Sequence, residues 1–167
     1  MDKQLQQLES QLSALLAEHE AMLALICRKR EAIRQAKPAV VQDCTRRENE
    51  LVQRIGGLET ERQRVVAALT AAIAPQSSQP LRLGQIAERC TEPQRGRLLV
   101  LQAKLIDRMN EIKRESAVVR QAMEGLLGHM QGMVQMLIQT VAGSGTYGQR
   151  GTMNAAGAAV SSFNATA

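Results

Sequence analysis

The side chains best suited to chemistry in this chain are two histidines, His19 and His129, three cysteines, Cys27, Cys44 and Cys90, and one tyrosine, Tyr147. A catalytic histidine needs a neighbour that orients its ring and tunes its proton affinity. His19 falls on an apolar helical stripe, where a bundle-edge residue is expected, and no Asp or Glu follows Glu124 to orient His129. The cysteines are odd in number and lack metal-ligand pairing, which fits reduced structural thiols. Gly56-Gly57 lies inside a helical pattern rather than in a phosphate-cradling loop. With no nucleophile–base pair either, the expectation is a non-enzyme that needs neither cofactor nor metal.

Composition points to the scaffold that carries these groups. The chain has 167 residues, 44% of them apolar, but one Phe and one Tyr. That length suits one domain, and the aliphatic bias with abundant Gln, Glu and Arg favours long helices over a compact globule. The formal charge of +5 comes from cations interleaved with acids, as in Glu18, Glu20, Arg28, Lys29, Arg30 and Glu31. A phosphate-binding surface would gather its cations on one stripe and add aromatics for stacking, so no nucleic-acid partner is expected. No apolar run reaches the ~20 residues of a membrane span, and Met1-Asp2-Lys3-Gln4 lacks a signal-peptide pattern. A cytoplasmic protein without membrane insertion is expected.

Three long stretches carry helical periodicity. In the first, Leu5, Leu8, Leu12, Leu15, His19, Met22, Ile26 and Ile33 follow heptad steps, with Lys29 breaking the seam and Leu16 and Leu23 widening it. Pro38 disfavours helix at Lys37 and suits the first turn of a new helix, which places a reversal near residues 35–38. The second stretch reads Val41, Cys44, Glu48, Leu51, Ile55, Leu58, Arg62, Val65 and Leu69, flanked by Val52, Val66 and Ile73. Glu48 and Arg62 sit on its seam, either to set register or as partly exposed edge residues. Pro75 to Pro80 forms a linker, Leu83, Ile86 and Ala87 a short helix, and Thr91-Glu92-Pro93-Gln94 has the layout of a capping box with Thr91 as N-cap. Leu98, Leu105, Met109, Ile112, Ser116, Val119, Met123, Leu126, Met130, Met133 and Leu137 then continue the heptad steps. The predicted class is all-α: an elongated antiparallel helical bundle or coiled coil of three long helices plus one short helix, with a disordered C-terminal tail. Helices are expected at about 2–36, 38–74, 82–90 and 92–142, forming one domain over 1–142, with a flexible tail over 143–167.

The last 43 residues, Gly125 to Ala167, contain no Asp, Glu or Lys, and Arg150 is their one fixed charge. Past Glu124 the apolar stripe of the third long helix broadens through Leu126, Leu127, Met130, Met133, Val134, Leu137, Ile138 and Val141. Such a surface must be covered, either inside its own bundle or by a foreign helix, and methionine-rich surfaces suit the second role. From Gly143 onward there is too little apolar mass to fold alone. Tyr147 and Phe163 both fall in that tail, away from any expected core.

The chain resembles FlgN-type flagellar export chaperones. The likeness rests on the order of elements: a long helical hairpin, the Leu83 to Ala87 segment, a long third helix, and a tail with Thr146-Tyr147-Gly148-Gln149-Arg150-Gly151. Arg47 to Ile55 and Met109 to Arg114 are also similar to the family's hairpin and third helix. The resemblance implies a cytosolic chaperone, monomeric or weakly dimeric, that binds hook-filament junction proteins. It implies that a client helix docks on the Leu126 to Val141 face. It also implies that Tyr147 helps dock on the cytoplasmic domain of the export-gate protein, and it assigns no role to the Ala-rich extension after Gly151. Another reading of the same periodicity is a self-associating coiled-coil scaffold or adaptor without a secreted client.

Overall fold

The computed structural model describes residues 2–143, so Tyr147 and the rest of the expected tail lie outside the described residues. Within them all regular structure is helical: α1 (Asp2–Arg34), α2 (Pro38–Ile73), α3 (Leu83–Ala87) and α4 (Gln94–Gly143). The all-α class with three long helices and one short helix holds. The chain divides into two compact units, residues 1–124 and residues from 125 on, each treated separately below.

In the first unit the heptad stripe of α1 is the buried one: Leu5, Leu8, Leu12, Leu15, Met22 and Ile26, joined by Leu25 and Ala32. The helix stops where Ala36 adopts a left-handed conformation with φ 50°. There the Lys37 N–H donates to the Ala32 carbonyl at 2.9 Å and the Ala36 N–H to the Ile33 carbonyl at 3.1 Å. That pair of bonds is a Schellman closure, which satisfies carbonyls left over at a helix end. Pro38 then opens α2 at a position where a missing N–H costs nothing.

Cross-helix contacts fix the directions. Lys29 pairs with Glu48 and Arg54 with Glu18, while Leu5, Leu8 and Leu12 pack with Val65, Val66 and Leu69. Rising numbers on α1 meet falling numbers on α2, so the two are antiparallel. The first part of α4 runs parallel to α1, since Arg97 pairs with Glu9, Arg108 with Glu20 and Glu115 with Arg30. A return between parallel neighbours needs a crossing segment. The linker and α3 provide it, packing Ile86 and Ala87 into the cluster that Leu98 completes. A second cluster joins Met22, Leu25 and Ile26 to Cys44, Leu51 and Val119.

Beside this packing, one α2 side chain holds the start of the crossing segment by hydrogen bonds. Thr70, 6% exposed, donates from its hydroxyl to the Val66 carbonyl at 2.8 Å and accepts the Leu81 N–H at 2.9 Å. Farther on, the Arg82 N–H donates to Gln85 Oε1 at 2.8 Å as the chain enters α3.

Three details differ from the sequence-based expectation. Thr91 is not the N-cap of the third long helix. That role would require Glu92 in helical geometry, which the following Pro93 disfavours, so α4 starts at Gln94 and the Glu92 carboxylate accepts the Gly96 N–H instead. Val52 and Met109 lie on or beside the expected seams yet are 59% and 55% exposed. Met109 borders a groove of about 490 Å³ that it shares with Leu12, Leu15, His19, Ile55 and Leu105, an incompletely filled stretch between the two clusters.

Candidate protein-docking face

Within α4 one heptad seam changes its surroundings along its length. Leu98 is fully buried and Val119 is 7% exposed, both inside apolar clusters. Leu126, seven residues after Val119 on the same seam, is 47% exposed. Every described position from Glu124 to Val141 is exposed. α4 has 50 residues, whereas α1 and α2 have 33 and 36.

The second unit, taken by itself, presents these side chains on one side. At about 100° per residue, Leu126, Leu127, Met130, Met133, Val134, Leu137, Ile138 and Val141 fall within an arc of roughly 140°. Gly125, Gly128, Gly132 and Gln139 occupy the opposite arc, and Gln131 and Gln135 flank the apolar one, lining a groove with Leu127, Met130 and Val134. All eight expected site residues are thus brought onto a single face and exposed, from 47% at Leu126 to 73% at Val141. Met136, 69% exposed and outside that set, lies roughly 60° beyond its edge. The glycines thin the far side, where a Cβ on Gly125, Gly128 or Gly132 would meet nothing within 4 Å. Tyr147 lies outside the described residues.

The electrostatics separate the two units sharply. Cations of the first unit meet acids on their own or a neighbouring helix, as in Arg46 and Arg47 with Asp43, Arg62 with Glu59, and Arg97 with Glu9. The hydrogen bond from Arg62, with its charge, holds the Glu59 carboxyl below the usual carboxylate range despite partial burial. Arg46, and behind it Arg47, does the same to the half-buried Asp43. The described part of the second unit carries no fixed charge at all. A partner placed on it would desolvate no ion, which removes the largest penalty of forming an interface.

Among the described residues the groups suited to catalysis do not converge. His19 Nδ1 lies 2.7 Å from the Leu15 carbonyl, an acceptor, so that nitrogen carries the proton and is engaged within its own helix. Cys44 is buried, Cys27 and Cys90 are half-buried, and all three are free thiols. Burial, with Glu9 nearby, pushes the Cys90 thiol up, away from the reactive thiolate. Sequence periodicity did not single out Leu99, Val100, Ile106 and Val118, which are exposed apolar residues on α4 in the first unit. They adjoin seam positions, in the runs Leu98-Leu99-Val100-Leu101, Leu105-Ile106 and Val118-Val119, and a heptad count steps over them.

The sequence that folds in this way matches the family model described as FlgN protein over residues 1–155. The chain belongs to the FlgN family. No curated protein and no solved structure matches it. FlgN proteins are flagellar export chaperones that bind flagellar export substrates. The match takes in all four helices and Tyr147. It ends at residue 155, inside the Ala-rich extension. Among the described residues no helix is long and apolar enough to cross a membrane.

Proposed function

We propose that this FlgN-family chain is a cytosolic chaperone of type III flagellar export. Its Leu126 to Val141 face would hold the terminal helices of hook-filament junction proteins. The observation that carries the reading is the α4 seam, buried at Val119 and open at Leu126. Junction subunits assemble through apolar helices that must stay covered until they leave the cell, and a helix laid on this face covers them. Each of the eight side chains contributes at most about 1.5 to 3 kcal/mol on burial, before association and ordering costs are subtracted. The result is reversible binding, which an export machine can break by pulling on the client. The bundle domain over 1–142 holds the client, and Tyr147 in the tail over 143–167 engages the export-gate protein's cytoplasmic domain. The free protein is a monomer or weak homodimer and uses no cofactor, nucleic acid or membrane insertion.

Light scattering of the purified chain, alone and with a purified junction protein, tests this reading. A stoichiometric complex formed from a monomer or weak dimer is expected. A tight homo-oligomer indifferent to the junction protein would replace it with a self-associating scaffold. Leu126→Asp with Met130→Asp should abolish capture while circular dichroism stays near the parent's. Tyr147→Ala should weaken binding to the gate domain and leave client capture intact.

A further inference from the structure

Among the described residues, every ion pair between two long helices involves α1: Glu18 and Lys29 reach α2, while Glu9, Glu20 and Arg30 reach α4. Between α2 and α4 the first unit is grooved instead. The stretch of about 490 Å³ beside Met109 is followed by a second of about 470 Å³. The lining moves on by three residues in each helix, from His19 to Met22, Ile55 to Val52 and Met109 to Ile112, so the two form one groove. On α4 it runs from Gln102 to Met123, about 32 Å. Buried Leu12, Leu15, Met22 and Ile26 of α1 form its floor. Val52, Ile106 and Met109, each more than half exposed, stand on its lips.

Charge along this groove is mostly matched within it. Lys29 pairs with Glu48 and Arg62 with Glu59, while Arg120 stands exposed at the rim. A helix bringing charges of its own would find few partners there and would lose water. An uncharged helix escapes that cost. Residues 125–143 of this chain are such a helix, with no fixed charge over about 28 Å. We propose that the groove between α2 and α4 takes the Leu126 to Ile138 face of a second copy of this chain, so that two free molecules cover one another's docking faces until a client displaces them. The proposal rests on the reading of that face as the client's seat and adds what occupies it before the client arrives.

Exchange in both directions closes the pair, because each chain contributes one groove and one face and neither is left over to extend a filament. One helix in each groove is a small contact of the transient class, so the free protein is a weak pair rather than a tight one. A client that binds the face more tightly draws chains out of the pair by mass action. The same exchange covers Val52, Ile106 and Met109, which the first unit leaves exposed.

Analytical ultracentrifugation of the full chain, up to about millimolar concentration, is the test. The parent is expected to pass from monomer to dimer across that range. Val52→Glu with Ile106→Glu charges the groove at exposed positions, and Leu126→Asp with Met130→Asp charges the face. Each double variant should weaken self-association about ten-fold or more and keep circular dichroism near the parent's. Val52→Gln with Ile106→Gln removes the apolar lips without adding charge and should weaken pairing in the same direction. An equimolar mixture of the groove-charged and face-charged variants should associate more tightly than either alone, since one supplies an intact face and the other an intact groove. A parent that stays monomeric, or a mixture that gains nothing, would overturn the proposal. A groove variant that pairs as the parent does would also overturn it, by assigning the pairing to the ends alone. A purified junction protein then separates the two readings. Rescue by mixing with no junction-protein binding sinks the client reading alone. Junction-protein binding to the parent and the groove variant, without rescue by mixing, sinks the self-pairing alone.

Discussion

Lys29 of α1 and Glu48 of α2, each of which interrupts the apolar seam of its own helix, are partners: Lys29 Nζ lies 2.7 Å from Glu48 Oε2. Their side chains are 13% and 19% exposed, so the pair is largely withdrawn from water. Removing one partner strands a charge, whereas removing both leaves an apolar contact. Glu48→Ala is therefore expected to cost about 1.5 to 3 kcal/mol, and Lys29→Met with Glu48→Leu to stay within about 1 kcal/mol of the parent. Urea unfolding of the two singles and the double settles it. Simple additivity would mean that the pair does not set the hairpin register.

A hydroxyl adds to the apolar packing that ties the crossing segment to α2. Thr70 Oγ1 is the acceptor for the Leu81 N–H at 2.9 Å. Thr70→Val keeps the shape and removes the acceptor, leaving that amide without its partner, and should cost about 1 to 3 kcal/mol. Thr70→Ser keeps the acceptor and should recover most of the loss. Proteolysis confined to residues 74–82 would rise in the valine variant if the hydroxyl does hold this segment.

At the end of α1 a local conflict was left in place. Ala36 occupies the left-handed position of the Schellman closure at φ 50°, where an L side chain with a Cβ is strained by about 1 to 2 kcal/mol. Ala36→Gly should raise stability, by about 1 kcal/mol after the greater freedom of glycine in the unfolded chain is subtracted. In α2 the opposite exchange applies. A Cβ on Gly56 or Gly57 meets nothing within 4 Å, so alanine at either position should add up to about 1 kcal/mol. Thermal melts of the three single variants check both signs.

These residues also show what could be read from the chain alone. The heptad steps predicted which side of α1 is buried because Leu8 and Leu12 have no alternative to the core. Lys29 and Glu48 were each visible as seam breaks, but their pairing depends on how two helices slide against one another. No single-helix pattern encodes that. The cap of α4 differs because Thr91 satisfies a local motif that Pro93 vetoes two residues later. For the docking face, the pattern gave the eight residues and their common side. Their exposure was not legible, since a stripe that meets its own bundle and one awaiting a partner read identically.

Glu59 gives a pH signature. Its carboxyl is held below the ordinary range by Arg62, so its contribution to stability is present above the unfolded carboxyl's pKa and is lost as pH falls through the lower folded value. Glu59→Gln should therefore be less stable than the parent at neutral pH, and the difference should shrink in acid. The side chain is 40% exposed, so solvent screening keeps the effect small. Urea midpoints across the acid range would show the two curves converging. A constant gap would trace the loss to packing instead.

The seam of α4 offers a comparison between positions that the sequence treats as equivalent. Val119 and Leu126 are one heptad apart, yet the first is 7% and the second 47% exposed. Aspartate at Val119 places an unpaired carboxylate among Met22, Leu25 and Leu51, and should cost about 3 kcal/mol or more. Aspartate at Leu126 leaves its charge in water and should change stability by no more than about 0.5 kcal/mol, while removing client capture. The direction of the arc adds a control on the same helix. Gln139→Glu places charge on the opposite side and should leave capture intact. If Leu126→Asp unfolds the chain as Val119→Asp does, the open end of α4 belongs to the core. If charge on either side abolishes capture equally, the client does not read one face, and the helix-on-face contact fails.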